Sequence, residues 1–93
     1  MLICKVVGHV WATKKEENLN GLKLMVVQEL DKNSKVKGTP FVAADVVGAG
    51  IGERVLTVSG STARKAFGSR NEVPVDAAIV AIIDSLEVDR EGE

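Results

Sequence analysis

Tyrosine is absent from this 93-residue sequence, and its only aromatic side chains are Trp11, Phe41 and Phe67. A core cannot be built on large rings and must come from Val, Ile, Leu and Ala, within a hydrophobic share of 45%. A basic excess is missing too: 12 Lys and Arg stand against 13 Asp and Glu, for a net charge of −1. These two shortages weigh against nucleic-acid binding, which draws on cationic grooves and stacking platforms. Cys4 is alone, so no intrachain disulfide can form, and a reducing cytoplasm is the simpler setting. The single His9 and single Cys4 point to opposite faces of one strand pattern and cannot complete a zinc site. No apolar run approaches the roughly 20 residues that cross a bilayer. The start, "MLICKVVGHV", carries neither a charged leader nor a cleavage pattern, so no membrane contact is expected.

What is present is alternation. Leu2 to Thr13 puts Leu2, Cys4, Val6, Gly8, Val10 and Ala12 on one face and a mixed set on the other, as a strand does. Leu22 to Asp31 is a second strand, with Leu22, Leu24, Val26 and Leu30 on one face and Lys23, Met25, Val27 and Glu29 on the other. Between them, "KKEENLNG" is a polar connection ending in an Asn-Gly turn signal. The lysine-rich loop "KNSKVKG" leads through Pro40 to a third strand, Phe41 to Val46, and Arg54 to Ser59 is a fourth. Short strands separated by turns indicate a small barrel or sandwich.

"GSTARKAFG", Gly60 to Gly68, reads as a short helix with Ser61 as N-cap and Gly68 closing the C-terminus. "PVDAAIVAIIDSLEV" fits two patterns. Val75, Ala78, Ile79, Ile82 and Leu86 make a helical stripe, yet Ile79 to Ile83 is nearly all β-branched, as in a strand buried on both sides. We take a turn at Pro74 to Ala77 and a strand from Ala78 to Val88. The expected organisation is one domain over residues 1–88, followed by a solvated, mobile acidic tail over 89–93.

The stretch "VVGAGIGERVLTVSG" places Gly48, Gly50 and Gly52 at alternate positions after an apolar run. A dinucleotide fingerprint requires G-x-G-x-x-G opening a helix. Here a strand comes next, and no Gly-Lys-Ser/Thr completes a phosphate loop, so the helix N-terminus that would hold phosphate is missing. The glycines are better explained by steric need: positive φ, or close approach of another backbone. Other candidate chemistry is equally thin. "DKNSKVKG" begins like a calcium loop but has Val36 and Val42 where Gly and Glu are required. "VSGST" lacks the first glycine of a nucleophile elbow. Asp45, Asp76 and Asp84 are scattered among apolar neighbours and fit turn capping or a subunit salt bridge better than a catalytic pair. No enzyme, cofactor or metal site is expected.

Apolar side chains stand on both faces of the first two strands. Ile3, Val7, Trp11, Met25 and Val27 cannot all share the core of Leu2, Val6, Leu24 and Val26 on strict alternation, so a homo-oligomer is expected, with Trp11, Met25 and Val27 at its interface.

The segments "VVGHVWATKKEENLNGLKLMVVQ", "FVAADVVGAGIGERVLTVSGSTAR" and "PVDAAIVAIIDSLEV" resemble, in order and spacing, the successive motifs of the EutN/CcmL family of bacterial microcompartment vertex proteins. Ser61-Thr62-Ala63-Arg64 stands where that family more often has Ser-Ser-Ala-Arg. The resemblance implies an all-β fold, a small five-stranded OB-like barrel with one short helix after the fourth strand. It also implies a cytoplasmic structural protein of a carboxysome-like shell. Five copies would close a vertex among hexameric shell proteins, with no cofactor. Gly48, Gly50, Gly52, Ser61, Thr62 and Arg64 are then expected at or near the subunit seam. The alternative is a small OB-type module binding single-stranded nucleic acid or another ligand.

Overall fold

The computed structural model describes residues 1–11, 21–60, 63 and 76–84. Five strands close a barrel: β1 (Leu2–His9), β2 (Lys23–Glu29), β3 (Phe41–Asp45), β4 (Arg54–Ser59) and β5 (Ala77–Ile82). Around the barrel they run β1-β2-β3-β5-β4. All neighbours are antiparallel except β3 and β5, which pair in parallel through Ala44 with Ala78 and Asp45 with Ile79. This is the OB-like arrangement that the resemblance implies. Closure matters because an open sheet of this size would leave backbone donors and acceptors ready to pair with other chains. The helix expected over 60–68 and the tail over 89–93 fall mainly or wholly outside the described residues.

Two strands end where a side chain has another task. Asp31, expected to close β2, instead turns its carboxylate to accept the N–H groups of Asn33 at 2.8 Å and Lys35 at 3.1 Å, which builds the next hairpin. Likewise β3 stops at Asp45, whose carboxylate serves the glycine turn. The first strand, expected to reach Thr13, stops at His9 after an irregularity between Val6 and Gly8, although the Val10 N–H still reaches the Leu24 carbonyl at 3.0 Å. The last strand begins at Ala77 rather than Ala78.

The barrel interior corrects one expectation. Met25 and Val27 are fully buried within it, alongside Cys4, Val6 and Val55. They therefore contribute core volume and present no apolar surface to another copy. Register supplies the reason. Val6 lies opposite Val27, so both face inward together; the bulge at Val7 then shifts the phase of β1, and His9 rather than Gly8 comes opposite Met25. Leu24 and Val26, assigned to the core on alternation, stand half-buried on the outer side. A second, smaller cluster of Val58, Ala63 and Ala78 packs outside the barrel with Val80.

Cys4 lies in this interior with its Sγ 3.5 Å from the Thr57 hydroxyl. Burial pushes its thiol pKa up, against a smaller opposing effect of the Thr57 hydrogen bond. The thiol is thus a small apolar filler rather than a nucleophile.

Met25→Ala removes a fully buried side chain and is expected to cost about 2–5 kcal/mol, read as a fall in the thermal midpoint of roughly 10 °C or more. In the hairpin, the N–H groups of Lys35 and Asn33 hold the Asp31 carboxyl below its ordinary 3.8. A depressed carboxyl pKa stabilises the folded turn above the ordinary value, and that contribution is lost as pH falls through the depressed one. Amide exchange at Asn33 and Lys35 should therefore accelerate in acid relative to the core amides, and Asp31→Asn should flatten the difference.

Candidate functional site

The turn between β3 and β4 is organised by one carboxylate. Asp45 Oδ1 accepts the N–H groups of Val47 at 2.9 Å and Gly48 at 3.0 Å, and Oδ2 accepts that of Ala49 at 2.7 Å. The Asp45 side chain is completely shielded from solvent. Its cross-strand partner in the register is Lys23, whose ammonium lies 3.5 Å from Oδ2 and also donates to the Ala49 carbonyl at 2.7 Å. A buried carboxylate is tolerable only when paired and hydrogen-bonded. Here three backbone donors and one cation meet that condition.

The far half of the turn is fixed separately. Glu53 Oε1 accepts the Gly50 N–H at 2.6 Å, and the Glu53 N–H donates to the Gly50 carbonyl at 3.1 Å. The turn is then stitched onto β1, with the Gly52 N–H reaching the Val6 carbonyl at 2.8 Å and the Val6 N–H reaching the Glu53 carbonyl at 3.0 Å. Ala49 is driven fully into the barrel core. Val46, Val47 and Ile51 remain outside, exposed at 42%, 40% and 61%. One rigid turn thus plugs the barrel inwardly and displays three aliphatic side chains outwardly.

The glycines divide by role. Gly48 and Gly52 hold φ of 84° and 92°, the left-handed region that side chains disfavour. No atom of the chain lies within 4 Å of where a Cβ would sit on either, so conformation rather than crowding requires glycine there. At Gly50 a Cβ would stand 3.3 Å from Glu53 Oε1, the movable end of a side chain. The arrangement also rules against phosphate chemistry: the N–H groups that would cradle an anion are already occupied by the protein's own carboxylate.

The remaining expected seam residues are distributed unevenly. Trp11 is 87% exposed and stacks on His9, ring centroids 5.4 Å apart at 26°. Ser61, Thr62 and Arg64 lie outside the described residues. Among the described residues no group of three His, Cys, Asp or Glu side chains is placed to hold a metal ion. Sequence reasoning does not single out Lys23, Val46, Val47 or Ile51. For Asp45 it offers a turn cap or a subunit salt bridge; the residue caps the turn, and the salt bridge it makes is to Lys23 of its own chain.

Comparison with known proteins gives a consistent result. The family model described as ethanolamine utilisation protein EutN/carboxysome matches residues 1–84. The carboxysome shell vertex protein CcmL of Synechocystis sp. is 48% identical over 92 residues, covering 95% of this chain and 87% of that protein. The bacterial microcompartment shell vertex protein GrpN of Rhodospirillum rubrum is 44% identical, covering 94% of this chain and 97% of that protein. Among solved structures, CcmL of Gloeobacter violaceus superposes with a TM-score of 0.87 at 42% identity, over 96% of this chain and 91% of that one. The structure described as the pentameric microcompartment shell protein GrpN of Rhodospirillum rubrum gives a TM-score of 0.84 at 41% identity, over 95% and 100%.

The clamp makes a direct prediction. Asp45→Ala leaves the buried Ala49 N–H and the part-buried N–H groups of Val47 and Gly48 without their acceptor and is expected to cost about 1–3 kcal/mol. Asp45→Asn retains one acceptor oxygen and should cost less. Chemical denaturation of the two variants beside the parent chain checks both the size and the order.

Proposed function

This chain belongs to the EutN/CcmL family, and on that premise we propose that five copies of it form a ring that closes a vertex of a bacterial microcompartment shell. It is a structural shell protein and not an enzyme, and it works in the cytoplasm as part of the shell. The observation that carries the reading is the likeness, along nearly the whole of both chains, to the pentameric GrpN structure. Its surroundings in the shell are proposed to be hexameric shell proteins.

The mechanism is geometric. A flat layer of sixfold tiles cannot close into a polyhedron until some positions become fivefold. A subunit that joins its neighbour through two different surfaces makes a closed ring only if the rotation between copies returns to the start; otherwise it makes an open filament. The contact must therefore fix an angle as well as supply affinity. A floppy element cannot fix an angle, whereas the clamped turn can. We place Val46, Val47 and Ile51, on the backbone set by Gly48, Gly50 and Gly52, at the subunit seam. Trp11, Ser61, Thr62 and Arg64 are assigned there as well, and an ordinary specific contact would bury about 800 Å² on each partner. The aliphatic surplus of a small chain thus serves association as well as folding.

Native mass spectrometry should give a single species at five times the 9.9 kDa chain mass. A folded monomer at micromolar concentration would refute the ring. For the seam, Ile51→Asp and Gly50→Val leave the barrel interior untouched and are expected to yield folded chains at the single-chain mass. Pentamers of both variants would remove the turn from the seam while leaving the ring itself standing.

A further inference from the structure

The outer face of the barrel is covered on one side and bare on the other. Over β4 and β5 the chain packs its own cover, the cluster of Val58, Ala63 and Ala78 with Val80. On β1, β2 and β3 the outward side chains include Val7, Leu24, Val26 and Val42, since Val6, Met25, Val27 and Ala43 fill the interior. Val7 and Val42 are 41% and 46% exposed, and Leu24 and Val26 are half-buried. The register sets them side by side: Val26 stands opposite Gly8 of β1 and opposite Val42 of β3. The next outward pair, Lys5 with Gln28, marks the polar border of this apolar row. An aliphatic centre with a polar border is how a surface covered by another protein is built.

Gly8 is a second, independent sign. Glycine inside a strand weakens it and marks a bulge, a tight bend or the close approach of another backbone. The extra residue of the bulge in β1 is Val7, and Gly8 has no left-handed φ. A Cβ on Gly8 would only touch Val26, at the ordinary contact distance of 3.8 Å. Among the described residues nothing requires glycine at this position. Its missing side chain leaves a dent in the apolar row.

A ring of identical subunits joins two unlike surfaces of each copy, and each must complement the other. One is the β3–β4 turn, which displays Val46, Val47 and Ile51. Its counterpart has to be aliphatic, uncharged and recessed. The row of Val7, Val26 and Val42, dented at Gly8, has these properties. Resting on the ring reading, we infer that this face is the second seam surface and receives the β3–β4 turn of a neighbouring copy. Gly8 lets the incoming backbone approach the sheet.

A cysteine placed in the row tests this in the intact protein. Cys4 is buried, so the new thiol is the one that a maleimide reaches. In the ring, Val42→Cys should react several-fold more slowly than Val36→Cys, whose site on the hairpin after β2 is 52% exposed. In denaturant the two should react alike. A short bismaleimide should join Val42→Cys to Ile51→Cys between chains of the double variant, giving covalent multiples on a denaturing gel. Gly8→Val and Val42→Lys, checked as folded by circular dichroism, should lower the native mass from five chains to one. A parent chain that is itself single overturns the ring reading and this pairing with it. A parent pentamer in which Val42→Cys labels as fast as Val36→Cys, or forms no link between chains, overturns this surface and leaves the ring standing.

Discussion

A single shielded carboxylate governs this molecule. Asp45 gathers three backbone N–H groups and the Lys23 ammonium, and through them it sets the path of the whole β3–β4 turn. That path delivers Ala49 into the barrel, permits Gly48 and Gly52 their left-handed conformations, and brings Gly52 and Glu53 onto β1 at Val6. Without the clamp, a glycine-rich turn would be among the most mobile parts of a small barrel. With it, the turn is hydrogen-bonded along its length and tied to β1 at Val6.

Stiffness is what a ring-forming protein needs from its contact surfaces. Hydrophobic burial supplies association but has no direction, so fivefold closure must come from the shape of the surfaces being joined. On the proposed seam these two demands are separated: Val46, Val47 and Ile51 would provide the apolar area, and the hydrogen-bonded network of the same turn would provide the angle. The polar network is buried, satisfied and charged, a combination that costs desolvation but specifies geometry. For a shell protein, specification matters more than the last increment of stability.

Much of the barrel is legible in the sequence because its strands alternate and its turns carry Gly, Asn and Pro at the right places. Arg54 to Ser59 is delimited correctly by pattern, and every other strand is located, although the first and last were expected to run on to Thr13 and Val88 and end at His9 and Ile82. The inward face of β2 escapes pattern for a physical reason: both faces of that strand are apolar, so alternation cannot choose between Leu24 and Met25. Pairing with β1 makes the choice, because inward Val6 stands opposite Val27, and the register between two strands leaves no strong trace in composition. The glycine turn is correctly separated from a phosphate loop by the strand that succeeds it. That Asp45 occupies the would-be anion site is only partly visible, since an Asp ahead of Gly48 reads as a local cap while its cross-strand partner Lys23 lies 22 positions away. Fivefold closure is legible only through resemblance; pattern alone carries no more than association.

The outer surface shows the same economy. Carboxylates at Asp31, Asp45 and Glu53 are committed to turns. The charge of the chain is close to balanced in total but unevenly placed, acidic at its C-terminal end and basic in the loop after β2.

The link between the clamp and assembly is tested most directly by the native mass of Asp45→Asn, taken where circular dichroism shows the barrel still folded. If the clamped turn fixes the angle between subunits, this variant populates single chains or irregular oligomers under conditions in which the parent chain gives five. A uniform pentamer indistinguishable from the parent would contradict the account.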